Sequence, residues 1–433
     1  MSSPQSNRVA TLRTWAVPLL GRYAVLATNP KLRAIGAAAL GQVVMFGGMA
    51  VVSRHYDHLA LAEYGVVFSL FNIIQLAASL RLEQGLVYEH AVEHRSSLYW
   101  LTLMLIPVAT LIVGAGAAIY IGRNPQTGAH AFALAWLLAV ATLGSAVGRL
   151  HLQLLAAAEQ YGFVIFNNVL RPSLIGLLQV AATFVASTSV ALVGALALSQ
   201  VLYATVLGAL AWRAARPCAT SASDMKQALR RNAAFPLYSL PQNMLYTVSE
   251  GLVPLALPFL FPTSAAVALF WLASRAVFAP ATVLAESIRP MVYRDIAVAG
   301  DRLRQRIARY ALALGGPIAL GLLVLALCGP TLFRIAFGAQ WGDANSYGLV
   351  LGVLVLGNMA SLPAVGALPV MGMQKHLFAV EVLGLIARAA IIFLPGWTSP
   401  LQVVAASTVV YLAIIGGFYG YVWIIAGRTE WQK

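Results

Sequence analysis

An all-α polytopic membrane protein, with about twelve transmembrane helices in two six-helix bundles around a central cavity, is the fold class this sequence predicts. Three observations carry the prediction. The 433 residues are 60% hydrophobic and 10% charged, with a mean hydropathy of +0.80, against roughly 45–50% apolar and about 25% charged in soluble domains. Twelve apolar stretches reach spanning length, and the strand-like alternation of a lipid-embedded barrel is absent. Lastly, 22 of the 28 Lys and Arg fall on one side if the helices alternate. By the positive-inside rule that asymmetry places both termini in the cytoplasm.

The elements follow in order. Residues 1–33 form a basic cytoplasmic segment whose apolar run from Trp15 is interrupted by Pro18 and Arg22; it reads as an interfacial, partly amphipathic segment rather than a cleaved signal. An N-terminal bundle, 34–212, holds the stretches 34–53, 61–80, 98–121, 129–147, 162–185 and 189–212. A basic, polar cytoplasmic linker, 213–233, divides the chain. The C-terminal bundle, 234–426, holds 234–260, 264–286, 310–328, 347–371, 377–395 and 401–426, and 427–433 form a cytoplasmic tail. Most stretches reach about 20 residues, enough at helical rise to cross ~30 Å of hydrocarbon. The arginine-dense segment 287–309 reads as a cytoplasmic loop, and the outer connections are short. Two six-span halves suggest an internal repeat, which transporters use to enclose a cavity; the repeat rests on count and charge, because similarity between the halves is faint.

The net charge of +14 is a topology signal with some affinity for anionic lipid headgroups, and needs no nucleic acid. Cys218 and Cys328 fall near opposite faces, which argues against a disulfide, and metal-ligand spacing is absent. The seven histidines lie in or near loops; His90 and His94, four apart, lack a third ligand set. Neither a GxxxxGK[ST] loop nor a GxGxxG turn follows a strand. No catalytic constellation is present, so the chain reads as a transporter without a cofactor, not an enzyme.

Charge inside the spans is the more informative signal. Arg275 sits in the middle of 264–286, and Arg171 and Arg388 repeat the situation in two other spans. A guanidinium stays protonated and costs a few kcal/mol or more at a bilayer centre. Such residues are kept where water, an anion or a paired acid meets them, and several together suggest a negatively charged cargo. Span two carries Ser69, Asn72, Gln75, Ser79 and Glu83 on one helical face, which reads either as cavity lining or as hydrogen bonding between helices. Span seven carries Ser239, Asn243, Tyr246 and Glu250 on one face, interrupted by Pro236, Pro241, Pro254 and Pro258. Glu250 is a candidate for proton or sodium coupling, or a charge partner for Arg275. Thr282 and Glu286 share Arg275's face, and Trp271, one turn before it, is placed to stack on the guanidinium. Glu286 is ~16 Å further along the axis, too far to neutralise Arg275. In span eleven Glu381 and Arg388 are ~10 Å apart, so Glu381 reads as snorkelling near the inner boundary or pairing elsewhere.

The segments Phe235-Pro236-Leu237-Tyr238, Leu257-Pro258-Phe259-Leu260, Ala273-Ser274-Arg275 with Pro280, and Ile288-Arg289-Pro290-Met291-Val292-Tyr293-Arg294 form a recognisable set. They resemble the polysaccharide-transporter branch, the O-antigen (Wzx-like) oligosaccharide flippases, of the multidrug/oligosaccharidyl-lipid/polysaccharide (MOP) exporter superfamily. Phe337-Gly338-Ala339-Gln340-Trp341 resembles the family's FGxxW element, and Glu63-Tyr64-Gly65 with Leu80-Arg81-Leu82-Glu83-Gln84 the ends of its second span. The resemblance implies a MATE/MOP-like arrangement in the bacterial inner membrane. It also implies flipping of undecaprenyl-diphosphate-linked repeat units for O-antigen, lipopolysaccharide or exopolysaccharide synthesis, with polysaccharide polymerase and export proteins as partners. Arg275 matches the span-eight arginine, which implies a diphosphate contact, with Arg171 and Arg388 as further cavity candidates. The aromatic pair before it is Phe270-Trp271 rather than tyrosines, which leaves the sugar unspecified. Coupling to a proton or sodium gradient stays open. The competing readings are a MATE-like drug or cation antiporter, expected to have an acidic cavity, and a non-transporting component of a polysaccharide assembly machine.

Overall fold

The structure, a computed structural model, describes residues 30–263 and 265–427. The expected interfacial segment up to residue 29 and the tail from 428 lie outside the described residues, as does the side chain of Glu286. The described chain is helical throughout, as the composition demands: in hydrocarbon every backbone group must find its partner within the segment. The helices are α1 (Pro30–His55), α2 (His58–Ala77), α3 (Val92–Arg123), α4 (Ala131–Ala157), α5 (Tyr161–Thr183), α6 (Ser189–Ala214), α7 (Ala222–Arg231), α8 (Leu240–Leu260), α9 (Ala266–Ala297), α10 (Leu303–Phe337), α11 (Ala344–Ala367), α12 (Gln374–Ile392) and α13 (Pro400–Ile425). All but α7 correspond one to one with the twelve expected stretches.

Nine of these helices are long and apolar enough to cross a membrane, by length and composition, among the described residues. The long helices outside that group, α8, α9 and α12, carry Glu250, Arg275, and the pair Glu381 and Arg388. They are also the helices that place charge on the cavity wall.

Local chemistry sets the boundaries. Asp57 caps α2, Thr188 caps α6 and Ser399 caps α13, each accepting from a first-turn backbone N–H. In α7 the Ser221 hydroxyl and the Asp224 carboxylate form a capping box, and the Ser221 hydroxyl beside Asp224 holds its carboxyl below the usual value. Two sequence expectations change. The segment 287–309 is mostly helix, because α9 runs on to Ala297 and α10 starts at Leu303; beyond the hydrocarbon layer a helix tolerates a charged surface. Span seven is irregular at its first two prolines and continuous through its last two. Pro236 lies in a π-helical turn, Phe235–Ser239, and Pro241 in the first turn of α8, whereas Pro254 and Pro258 lie inside that helix.

The first six long helices pack as α1 on α5, α4 on α6, α3 on α4, α5 on α6 and α2 on α4. The last six repeat the pattern: α8 on α12, α11 on α13, α10 on α11, α12 on α13 and α9 on α11. Across the divide α2 meets α8 and α9, while α1 meets α9 and α10. Small residues permit the closest approaches. A Cβ at Gly48 of α1 would lie 2.8 Å from the carbonyl oxygen of Gly176 in α5. Gly176→Leu is therefore expected to force these helices apart and cost about 1–3 kcal/mol by overpacking. A melting temperature unchanged in detergent would contradict this packing.

The apolar cores show how the two sets of helices meet. One end of the molecule carries Arg95, Arg213, Arg216, Lys226, Arg230, Arg231 and Arg302 and is called here the basic end; the far end carries the turns after α1, α3, α5, α8, α10 and α12. At the far end a single core draws on both sets, from Tyr64, Leu134 and Leu192 to Leu257, Trp271, Trp341 and Val404. At the basic end there are two separate cores, one around Leu82, Leu98, Leu154 and Tyr203 and the other around Val292, Leu303, Leu362 and Ile425. The two sets are fused at the far end and part toward the basic end.

Candidate functional site

The parting of the helices leaves a cavity of about 840 Å³ lined by α1, α2, α8, α9, α11, α12 and α13. Its wall runs from Trp271 and Val404, against the far-end core, to Arg289 and Tyr293 toward the basic end.

Arg275 is on this wall, with its guanidinium carbon 3.9 Å from the centroid of the Phe68 ring. Phe68 on α2, not Trp271, is thus its cation–π partner. Trp271 turns into the α2–α9 contact because Gly65 has no side chain there: a Cβ on Gly65 would lie 3.0 Å from that of Trp271. The indole meets Tyr64 edge-on, with centroids 5.2 Å apart. Ion pairs within 4.0 Å form at Arg81–Glu83, His94–Glu89, His130–Glu63 and Arg231–Glu89, and none joins Arg275 to Glu250. Glu250 instead accepts a hydrogen bond from the Tyr246 hydroxyl at 2.6 Å and opens onto the cavity. Both charges share one wall without neutralising each other directly.

Arg388 is also on the wall but only 4% exposed. It donates to the Ser249 hydroxyl at 2.9 Å, and its guanidinium carbon is 5.1 Å from the centroid of Tyr411. Its Nε–H has no partner, nor does one buried carboxylate oxygen of Glu381, another wall residue. Glu381 therefore belongs to the cavity rather than to the inner boundary.

Arg171 is placed differently and is not part of the cavity wall. It donates to Gln75 Oε1 and Ser145 Oγ at 3.0 Å each and to Gln200 Oε1 at 3.2 Å, with Tyr203 5.5 Å away. Neutral acceptors from α2, α4 and α6 surround this guanidinium, and it ties those helices to α5.

The span-two stripe divides accordingly. Ser69 and Asn72 line the cavity; Gln75 and Ser79 do not. Gln75, still within α2, faces Ser145 and Arg171 instead. Beyond it α2 ends at Ala77, and Leu80 and Arg81 have φ of 52° and 60°, so the helical face does not continue through Ser79 to Glu83. Arg81 reaches across to Asn243 at 3.0 Å. Asn243, Tyr246 and Thr282 are all wall residues, and the Thr282 hydroxyl donates to the Phe278 carbonyl.

Sequence reasoning missed Phe68, Arg289, Asn358, Thr408, Tyr411 and Tyr419, which also line the cavity. Two signals were there to be read. Asn358 is a strongly polar residue in the middle of an apolar stretch, and Thr408, Tyr411, Ile415 and Tyr419 recur at helical spacing on one face of span twelve. The wall as a whole offers guanidinium forks for an anion, two carboxylates, and amides and hydroxyls for a polar ligand. It shows no nucleophile–base pairing. Among the described residues no group of three or more His, Cys, Asp or Glu is placed to hold a metal ion.

No family model and no curated protein matches this chain in sequence. Solved structures do match in fold. An inward-facing multidrug resistance transporter of the MATE family, MOP superfamily, aligns with a TM-score of 0.68 at 15% identity over 92% of this chain and 99% of that one. The lipid II flippase MurJ in an inward closed conformation aligns with a TM-score of 0.70 at 10% identity over 90% and 89%. The Vibrio cholerae MATE transporter VcmN in its bent form aligns with a TM-score of 0.55 at 14% identity over 93% and 98%. At these identities the likeness shows the fold alone, the all-helical architecture that those proteins share; function has to be argued from the site.

Proposed function

We propose that this chain is a flippase. It moves undecaprenyl-diphosphate-linked oligosaccharide repeat units from the cytoplasmic to the outer leaflet of a bacterial inner membrane by alternating access, for O-antigen or exopolysaccharide synthesis. The observation that carries this reading is Arg275, a permanent cation on the wall of a central cavity with no acid paired to it. A diphosphate cannot cross hydrocarbon unaided, and a guanidinium fork grips phosphate oxygens bidentately. Arg388 and Arg289 add positive charge to the same wall, while Ser69, Asn72, Asn243 and Thr282 supply hydrogen bonds for sugar hydroxyls. A cavity of this size is typical of sites holding one small ligand, ~300–1,000 Å³, so it suits the diphosphate and adjoining sugars. The rest of the glycan extends toward the opening and the lipid tail stays in the bilayer.

In this reading the basic end is cytoplasmic, and the cavity is caught facing it. The recurring helix pairings are those of two six-helix bundles joined by 213–233. Glu250 and Glu381 are the groups placed to couple transport to a proton or sodium gradient.

A second reading, a MATE-like drug or cation antiporter, draws on the same two carboxylates and on the MATE structures that share the fold. Deleting the protein separates the two. The flippase reading expects lipid-linked repeat units to accumulate on the cytoplasmic leaflet and surface polysaccharide to disappear. Sensitivity to cationic drugs with no such accumulation would sink it in favour of the antiporter.

A further inference from the structure

The far end of the cavity is closed by a specific set of hydrogen bonds as well as by apolar packing. Helix α10 ends at Phe337, the chain reverses at Gly338 with φ of 115°, a conformation that favours glycine, and a 3₁₀ turn, Ala339–Trp341, follows. This turn meets the end of α1 from the other set of helices. The Trp341 indole N–H donates to the Ser53 carbonyl at 2.6 Å, and the Gln340 amide donates to the carbonyls of Ser53 and Tyr56 at 3.0 and 3.2 Å. In return the Ser53 hydroxyl donates to the Phe337 carbonyl at 2.8 Å and Arg54 to that of Ile335 at 2.6 Å. Trp341 is 0% exposed, with the His58 ring 4.4 Å from it.

A weaker counterpart lies at the equivalent place. The end of α3 meets the end of α8, where the Tyr120 hydroxyl donates to the Leu255 carbonyl and the Gln126 amide to that of Pro262. Numbered within their own sets, both contacts join the first helix of one six to the third helix of the other. At the basic end side chains also meet across the divide: Arg81 donates to Asn243 and Ser239 to Gln84, and the Tyr88 and Phe235 ring centroids lie 6.0 Å apart.

We propose that the Phe337–Trp341 turn is a latch on the end of α1. It holds the cavity shut toward the far side, and its release is the step that exposes the cavity there. It rests on the reading of the chain as an alternating-access transporter. Several acceptors are carbonyls in the last turns of α1 and α10, which have no partner within their own helix. Closed, the latch satisfies them; open, water at the far end does so instead. That makes the contact specific yet reversible. The buried indole makes it all-or-none, because Trp341 cannot leave the Ser53 carbonyl without leaving the shared core.

The test uses accessibility, which needs no cargo. In a background with Cys218→Ser and Cys328→Ser, Ser274→Cys on the cavity wall reports labelling by a membrane-impermeant maleimide added to the far side of intact cells. Trp341→Phe removes the indole N–H and keeps most of the ring; Arg54→Gln removes an exposed cation and guards against misfolding. Far-side labelling is expected to rise about fivefold for each hydrogen bond lost, with a larger rise for the double variant. Labelling unchanged in Arg54→Gln and in a Trp341→Phe protein that elutes as a folded monodisperse peak overturns the latch. Increased labelling in a chain whose deletion leaves lipid-linked sugars undisturbed keeps the latch and removes the proposed cargo, so the two failures are distinguishable.

Discussion

Arg275→Ala is expected to abolish export of surface polysaccharide at normal expression and to leave the fold intact. The side chain lies on the cavity wall and its structural contact is the Phe68 ring, with no hydrogen bond or ion pair to another helix. Its removal therefore withdraws a ligand contact and, of the fold, only that cation–π contact. A hydrogen bond to a charged group contributes about 1.5–3 kcal/mol, which corresponds to roughly a 10- to 100-fold loss of affinity for a diphosphate head. Arg275→Lys is expected to recover only part of that loss, because an ammonium is a point charge and cannot grip two phosphate oxygens in one plane. Binding of a short-chain polyprenyl diphosphate to purified protein, measured by calorimetry, gives the affinity directly. Equal affinity in Arg275→Ala and the parent would refute the role, as would full surface polysaccharide in cells.

Gln75→Leu should do the reverse, damaging the fold more than the ligand site. Gln75 accepts from Arg171 at 3.0 Å and from Ser145 at 2.8 Å, and it donates to Asn72 at 3.3 Å. Leucine preserves the volume but removes the carbonyl that faces the Arg171 guanidinium. A buried cation that loses an acceptor costs about 1–3 kcal/mol or more, seen as a fall in melting temperature in detergent. Arg171→Leu together with Gln75→Leu should recover part of the loss, because replacing both partners with apolar groups removes the unsatisfied charge. A double variant no more stable than Gln75→Leu alone would show that Arg171 does not depend on Gln75.

These two results separate arginines that the sequence presents alike. Arg171, Arg275 and Arg388 are each a cation in an apolar stretch. In the folded chain one is a cross-link among α2, α4, α5 and α6, one is open on the cavity wall, and one is on the wall but held by Ser249. The stripe on span two was equally ambiguous. Its period correctly groups Ser69 and Asn72, but the left-handed residues Leu80 and Arg81 end the helical face before Glu83. A local backbone turn of that kind leaves no mark in hydrophobic periodicity. The helix C-terminal latch was hidden for a related reason: Gln340 and Trp341 bond to backbone carbonyls of Ser53 and Tyr56, and any residue supplies a carbonyl.

Hydrophobic length and the bilayer's demand for internally satisfied backbone are properties of consecutive residues. Helix number, helix order and the basic character of one end were therefore legible along the chain. Which face of each helix meets the cavity is a property of packing between helices distant in sequence. Only the tertiary structure decided that Arg275 meets Phe68 instead of Trp271 or Glu250. Only it decided that Glu381 belongs to the cavity, and that the far end is closed while the basic end is parted. The cost of burying a charge requires that each intramembrane arginine find some partner; the choice of partner is made by which helices come together.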